Sequence, residues 1–182
     1  MPPEENGQTL GEMVVHLTRS IVKLDTGQLA RLRRMNPEGP GEGDFWRLAI
    51  QHNLRTDSRG LMLVRLLALL TPKGEPSEQK KLHDRDKPLG AALYEASYPE
   101  TRLLAFLALP FGKRGEALER MARWLAAKGH GGVNCVDIAR LLFSEDVRNT
   151  RRLAETYYRA HDKAQSGPDV PSKPDAKEDE AA

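Results

Sequence analysis

Apolar residues recur along most of this chain at the three-to-four-residue spacing of a helix, and polar, Gly- or Pro-bearing stretches punctuate them. Leu10, Met13, Val14, Leu17, Ile21 and Leu24 predict a helix over Thr9–Leu24, with Thr9 as its cap. Asp25-Thr26-Gly27 breaks it, and a short basic helix, Gln28–Met35, runs until Asn36-Pro37. Beyond a Gly/Pro loop at Glu38–Gly43, Asp44 is expected to cap Phe45–His52, and Asp57 or Ser58 to cap Gly60–Leu70. Thr71–Lys87 is polar and reads as a domain boundary or a mobile loop. Helices then follow over Leu89–Ser97, Glu100–Leu109 opened by Pro99, and Arg114–Lys128 after the Pro110–Lys113 link. Gly129–Val133 ends the last of these. Asn134 or Cys135 starts a helix to Phe143, and Ser144-Glu145-Asp146 caps a long one to about Ala164. From Ser166 onward Gly, Pro, Asp, Lys and Glu dominate, the composition of a disordered tail. No internal repeat is visible.

Composition supports an all-α fold. Leu (25) and Ala (19) far outnumber the β-branched Val (8) and Ile (3), so sheets are disfavoured. The expected organisation is two small helical bundles, 1–87 and 88–165, with an acidic tail over 166–182. The longest apolar run, Leu61–Leu70, is interrupted by Arg65 and is too short for a bilayer, which needs about 20 residues. The stretch Met1–Asn6 has no secretion-signal pattern, and the single Cys allows no internal disulfide, so a cytoplasmic protein is expected.

The net charge of +2 conceals an uneven distribution. Residues 1–12 carry −3 and residues 166–182 carry −3, which leaves +8 on 13–165. Arg (18) exceeds Lys (10), and arginine suits phosphate and interface ion pairs.

Catalytic chemistry finds little support. His130 and Cys135 are the only close pair of metal-ligand type, far short of a closed four-ligand zinc site, and a packed thiol is the simpler reading of Cys135. No phosphate-binding Gly-rich motif occurs, and the pairs Asp84/Asp86 and Glu145/Asp146 fit charged loops and helix starts. No enzyme activity, cofactor or metal is expected.

The arginines are patterned. On Glu145–Lys163, Val147, Thr150, Ala154, Tyr157, Tyr158 and His161 form the expected core face, while Arg148, Arg152 and Arg159 share the opposite face with Glu155 between them and Arg151 nearby. On Arg114–Lys128 the core stripe is Leu118, Met121, Ala122 and Leu125, and Lys113, Arg120 and Arg123 lie on the far face with Glu116. Arg31 and Arg34 point away from Leu29 and Leu32. Such faces can be plain solvated surface held by i,i+4 pairs such as Glu116–Arg120 and Glu155–Arg159, yet bases outnumber acids on all three. Arg102, on a mostly apolar helix, either pairs internally, with Glu95 as the candidate, or reaches a partner. Phe45 and Trp46 could stack bases, but core positions suit them better.

The segment Leu24-Asp25-Thr26-Gly27-Gln28-Leu29-Ala30-Arg31-Leu32-Arg33-Arg34 resembles the L-D-x-G-x-x-A-x-[LI]-R-R signature of the CasB family, the small subunits of the type I-E CRISPR surveillance complex, Cascade. Phe45-Trp46-Arg47-Leu48, then Leu89-Gly90-Ala91-Ala92-Leu93 with Ser97, Glu100, Arg102 and Leu103, then Arg120-Met121, Val136-Asp137 and Arg151–Tyr158 are similar to further family segments in the same order. Leu142-Phe143 departs from the family, where tryptophan is expected. The resemblance spans roughly Leu10–Ala164 and implies an all-α, non-catalytic protein, two copies of which touch the CasC backbone and the large subunit CasA. It further implies that arginines steady crRNA, the target strand and the displaced non-target strand. By position these are Arg33 and Arg34, followed by Arg59, Arg102, Arg120, Arg123, Arg148, Arg151 and Arg152. Two other classes remain open: a helix-turn-helix regulator built on Val136–Arg159, and a purely structural protein–protein adaptor.

Overall fold

Helix α1 (Leu10–Ile21) starts where the pattern predicts, because Thr9 and Glu12 form a reciprocal capping box that satisfies two otherwise orphaned amides. The computed structural model describes residues 9–74 and 81–166. Its other helices are α2 (Thr26–Arg34), α3 (Gly43–Gln51), α4 (Ser58–Leu70), α5 (Leu89–Glu95), α6 (Glu100–Leu107), α7 (Arg114–Lys128), α8 (Cys135–Phe143) and α9 (Val147–Gln165), with a 3₁₀ turn at Phe111–Lys113. No strand occurs among the described residues; His83 and Val133 make one isolated parallel bridge. The fold is all-α.

Caps explain most boundaries. Asp57, Asn134 and Asp146 each accept an amide at the start of α4, α8 and α9, and Gly129, at φ 71°, ends α7 in the left-handed conformation that costs glycine least. Two expectations are corrected. Asp25, read as a breaker, caps α2 through a second capping box with Gln28. Asp44 does not cap α3: it lies inside the first turn, where its buried carboxylate accepts from Gln28 Nε2 (3.1 Å) and Arg31 Nε (2.9 Å) and so ties α3 to α2.

One continuous apolar core links helices from both sides of Lys87. Helix α4 packs on α7 and α8, and α1 packs on α8. Arg65, the charge inside the longest apolar run, crosses this junction: its guanidinium donates to Glu119 on α7 (2.8 Å) and to the Met35 carbonyl. Part of the polar 71–87 stretch is fixed as well, with Leu82 buried and His83 bridged to Val133. Residues 75–80, the acidic 1–8 and all but Ser166 of the tail expected over 166–182 lie outside the described residues.

Helices α5 and α9 cross at backbone contact. A Cβ on Gly90 would stand 2.2 Å from the Leu153 carbonyl oxygen and 2.6 Å from the Tyr157 nitrogen, so only glycine fits. The buried stripe of α9 is Thr150, Leu153 and Tyr157. This corrects the expected face: Val147 is 51% exposed, and Leu153 is buried in the core. On α7, Leu118, Met121, Ala122 and Leu125 are buried as their spacing predicts. Phe45 is core, whereas Trp46 is 40% exposed and held by an Nε1 bond to the Pro40 carbonyl.

Candidate nucleic-acid interface

The outer faces of α6 and α7 enclose a groove of about 630 Å³. Its floor is apolar, made by Leu109, Ala117 and Trp124 together with the edges of Tyr98 and Phe106; its rim carries Arg102, Arg120 and Arg123. Helical spacing places Arg120, Arg123 and Trp124 on neighbouring turns of α7, and α6 brings Arg102 across from them. Trp124 is fixed by an Nε1 bond to the Ala96 carbonyl (2.9 Å) and by edge-on contact with Tyr98. Arg102 lies over its indole face at 5.3 Å and Lys128 at 5.5 Å. The expected Arg102–Glu95 pair does not form, since Glu95 takes Lys87 (2.5 Å). Arg123 pairs with Glu119, while Arg120 has no ion pair among the described residues and Glu116 does not take it. Burial raises the Glu119 carboxyl, but hydrogen bonds from Arg123 and Arg65 outweigh this and hold it below the usual carboxylate range.

A second basic groove, about 600 Å³, runs between α1, α8, α9 and the segment around His83. Arg19, Arg85, Arg140 and Arg152 line it with His16 and His83. Arg19, Arg85 and Arg140 have no side-chain partner among the described residues, and Arg152 reaches Asp137 only at 3.4 Å. Cationic side chains left facing solvent along a groove suit a polyanion's backbone. Sequence reasoning found only Arg152 of this set. The other three come from distant points of the chain and share no local pattern.

The remaining expected residues are distributed differently. Arg33 is half-buried and donates to the Ala68 (2.8 Å) and Thr71 (3.0 Å) carbonyls, closing the C-terminal end of α4; burial lowers its guanidinium pKa. It lines a hollow of about 540 Å³ on the other flank of α7, with Lys73, Arg123 and His130. Arg34 is exposed, and its Nε donates to its own helix at Ala30. Arg59 lies over the Phe111 ring at 3.9 Å. Arg148 is 85% exposed and pairs with its capping Asp146. Arg151 is exposed without a partner among the described residues. Thus Arg102, Arg120 and Arg123 converge, Arg152 joins the second groove, and Arg34, Arg59, Arg148 and Arg151 lie outside both.

No family model matches the chain, and no curated protein matches it. Its coordinates superpose on a chain of the E. coli Cascade crystallised with a PAM-containing double-stranded DNA target: TM-score 0.60, 21% identity, 82% of this chain and 96% of that one. The fold is shared with a component of Cascade. The two basic grooves share no lining residue, so they are distinct surfaces.

His130 and Cys135 do not form a ligand set. The His130 Nε2–H donates to the Leu70 carbonyl (2.8 Å) and its Nδ1 accepts from the Gly132 amide (3.1 Å). Cys135 is fully buried, which pushes its thiol far above the usual range, and its amide donates to His83 Nδ1. No group of three or more His, Cys, Asp or Glu side chains converges among the described residues, and none of their helices is long and apolar enough to cross a membrane.

Proposed function

We propose that this chain is the small, non-catalytic subunit of a type I-E CRISPR surveillance complex, a CasB-like protein of the cytoplasm. It would steady crRNA, target strand and displaced strand in the R-loop. Its protein partners would be the CasC backbone, the large subunit CasA and a second copy of itself. The observation that carries this reading is the fold shared with a chain of E. coli Cascade over 96% of that chain. The arginine-rimmed grooves give the reading a mechanism. Guide pairing reads sequence, and the heteroduplex formed is about as stable as the duplex replaced, so sequence-blind contacts to phosphates tip the exchange. Arg102, Arg120 and Arg123 line one groove and Arg152 the other, and these would make such contacts. Arg34, Arg59, Arg148 and Arg151 remain proposed nucleic-acid or subunit contacts, whereas Arg33 would act chiefly by holding α4.

The test is binding of the full chain to single-stranded DNA, RNA and random duplex across a salt series, then incorporation into a complex with the other Cascade subunits. We expect affinity without sequence preference, falling with salt by a slope of about −0.7 per phosphate neutralised on single strands, and flattened by Arg120→Glu. Tight binding to one duplex sequence would favour the helix-turn-helix regulator. Normal nucleic-acid binding by the assembled complex despite Arg→Glu changes in both grooves would favour the adaptor.

A further inference from the structure

The α6/α7 groove carries more than a phosphate backbone needs. Its arginine rim would serve phosphates, but its floor is built on Trp124, and the short side chains of Ala105 and Ala127 leave room beside the indole. The α1/α8/α9 groove is lined by no Phe, Tyr or Trp among the described residues. The more exposed tryptophan, Trp46, lines neither groove. An aromatic floor beneath a basic rim complements one nucleotide, a flat base joined to an anionic phosphate.

Trp124 is prepared for such a contact. Its bond to the Ala96 carbonyl and its edge-on packing with Tyr98 fix the indole before any ligand arrives, and the side chain is only part-buried. The groove, at about 630 Å³, falls within the roughly 300–1,000 Å³ of sites that enclose small organic molecules. Arg102 now lies over the indole at 5.3 Å. A stacked base is held more strongly than a cation on an exposed ring, so the base takes the indole and lifts Arg102 outward. The guanidinium then covers the base, because its plane stacks on bases as an aromatic ring does.

We propose that the α6/α7 groove is a base-stacking site, in which an unpaired base lies against Trp124 while its flanking phosphates take Arg120 and Arg123. The proposal rests on the nucleic-acid reading above and deepens it, since that reading requires phosphate contacts alone. A base inside a duplex is already stacked and paired, so the site selects single strands over duplex of equal charge.

The test compares two single strands of equal length and charge on the full chain carrying Trp46→Phe, which leaves Trp124 as its only tryptophan. One strand is oligothymidylate; the other has the same backbone with abasic sugars throughout. We expect the abasic strand to bind roughly tenfold more weakly at every salt concentration with the same salt slope, because only the rings have gone. Oligothymidylate should quench Trp124 fluorescence, and the abasic strand should leave it nearly unchanged. Trp124→Ala should bring the two strands to equal affinity, and Trp124→Phe should restore part of the gap. Ala105→Leu covers the case in which Trp124→Ala fails to fold. Ala105 is exposed in the groove, so leucine there narrows the site without entering the core, and it too should close the gap while keeping the salt slope.

Equal affinity of the parent chain for both strands overturns base stacking and leaves the phosphate contacts standing. A gap that survives Trp124→Ala also overturns it, because the bases would then stack elsewhere. Failure of both strands to bind overturns the nucleic-acid reading of the groove, and the stacking with it.

Discussion

The two basic grooves differ in how their arginines are held. In the α6/α7 groove two of the three rim arginines are supported: Arg102 rests on Trp124 and Arg123 is paired with Glu119, while Arg120 stands beside them over an apolar floor. In the α1/α8/α9 groove Arg19, Arg85 and Arg140 have neither carboxylate nor ring among the described residues, and the walls are polar. A guanidinium held against an indole keeps its charge but loses rotamer freedom before any ligand arrives, so less entropy remains to be lost on binding. Unsupported arginines adapt to any phosphate spacing but must be ordered by it. The first groove is therefore suited to a ligand with apolar and anionic parts, the second to a bare phosphate backbone.

The comparison breaks completely if the α5–α9 crossing is disrupted. Helix α9 supplies Arg152 to one groove and, through Tyr157 Oη on the Tyr98 carbonyl (2.7 Å), supports the floor of the other. Gly90→Ala forces a methyl into the Leu153 carbonyl, so α5 and α9 must separate. Such overpacking against backbone belongs at about 3 kcal/mol, and a Tm fall of roughly 10 °C in thermal unfolding is expected. Both grooves should lose nucleic-acid affinity together.

A smaller effect separates arginines that build the fold from those free to bind. Arg33→Ala removes two charge-assisted bonds to the end of α4, at a cost of about 1–2 kcal/mol given partial exposure. Denaturant unfolding should show this loss, with affinity unchanged for the folded fraction. Arg34→Ala should leave the unfolding midpoint in place.

Acid should act on the histidines. Burial lowers the pKa of His52, His83 and His130 below the ordinary value of 6.5. The unfolded chain therefore takes up protons first as pH falls, so their contribution to stability is intact above about pH 6.5 and is lost progressively below it. For His130 the reason is visible: a proton on Nδ1 would face the Gly132 N–H that now donates to it. Each extra proton bound by the unfolded state steepens the loss by about 1.4 kcal/mol per pH unit. Tm measured from pH 7.5 to 5 should fall, and less steeply in His130→Gln. His83 lines the α1/α8/α9 groove, so acid strains that wall, whereas the α6/α7 groove contains no histidine.

What the sequence made legible follows from the range of each interaction. Helix boundaries were readable because caps act within three residues: Thr9, Asp57 and Asp146 stand where a local rule puts them. The face of α7 was readable for the same reason, and with it Arg120 and Arg123. Asp44 was misread because its partner, Arg31, lies on another helix, and a buried cross-helix pair overrides the capping preference. The α1/α8/α9 groove was invisible because four arginines from four separate segments meet only when α1 packs on α8. Gly90 stood in a family-like segment, yet its physical reason appears only at the α5–α9 crossing.

The finest test asks whether the two grooves serve one strand or two. Arg120 and Arg140 are both exposed and without ion pairs among the described residues, so alanine at either should leave Tm within about 1–2 °C. Each should flatten the single-strand salt slope by about 0.7. If one strand runs through both grooves, a long oligonucleotide feels both changes and their costs add, since the sites share no partner. A short oligonucleotide that cannot span them should then respond to only one substitution. Additivity on long strands combined with single-site sensitivity on short ones would mean a continuous track. Sensitivity to Arg120→Ala with single-stranded DNA and to Arg140→Ala only with a guide–target heteroduplex would instead mean that the two grooves hold different strands. The rigid aromatic groove, with less order left to impose, is the one we expect to take the single strand.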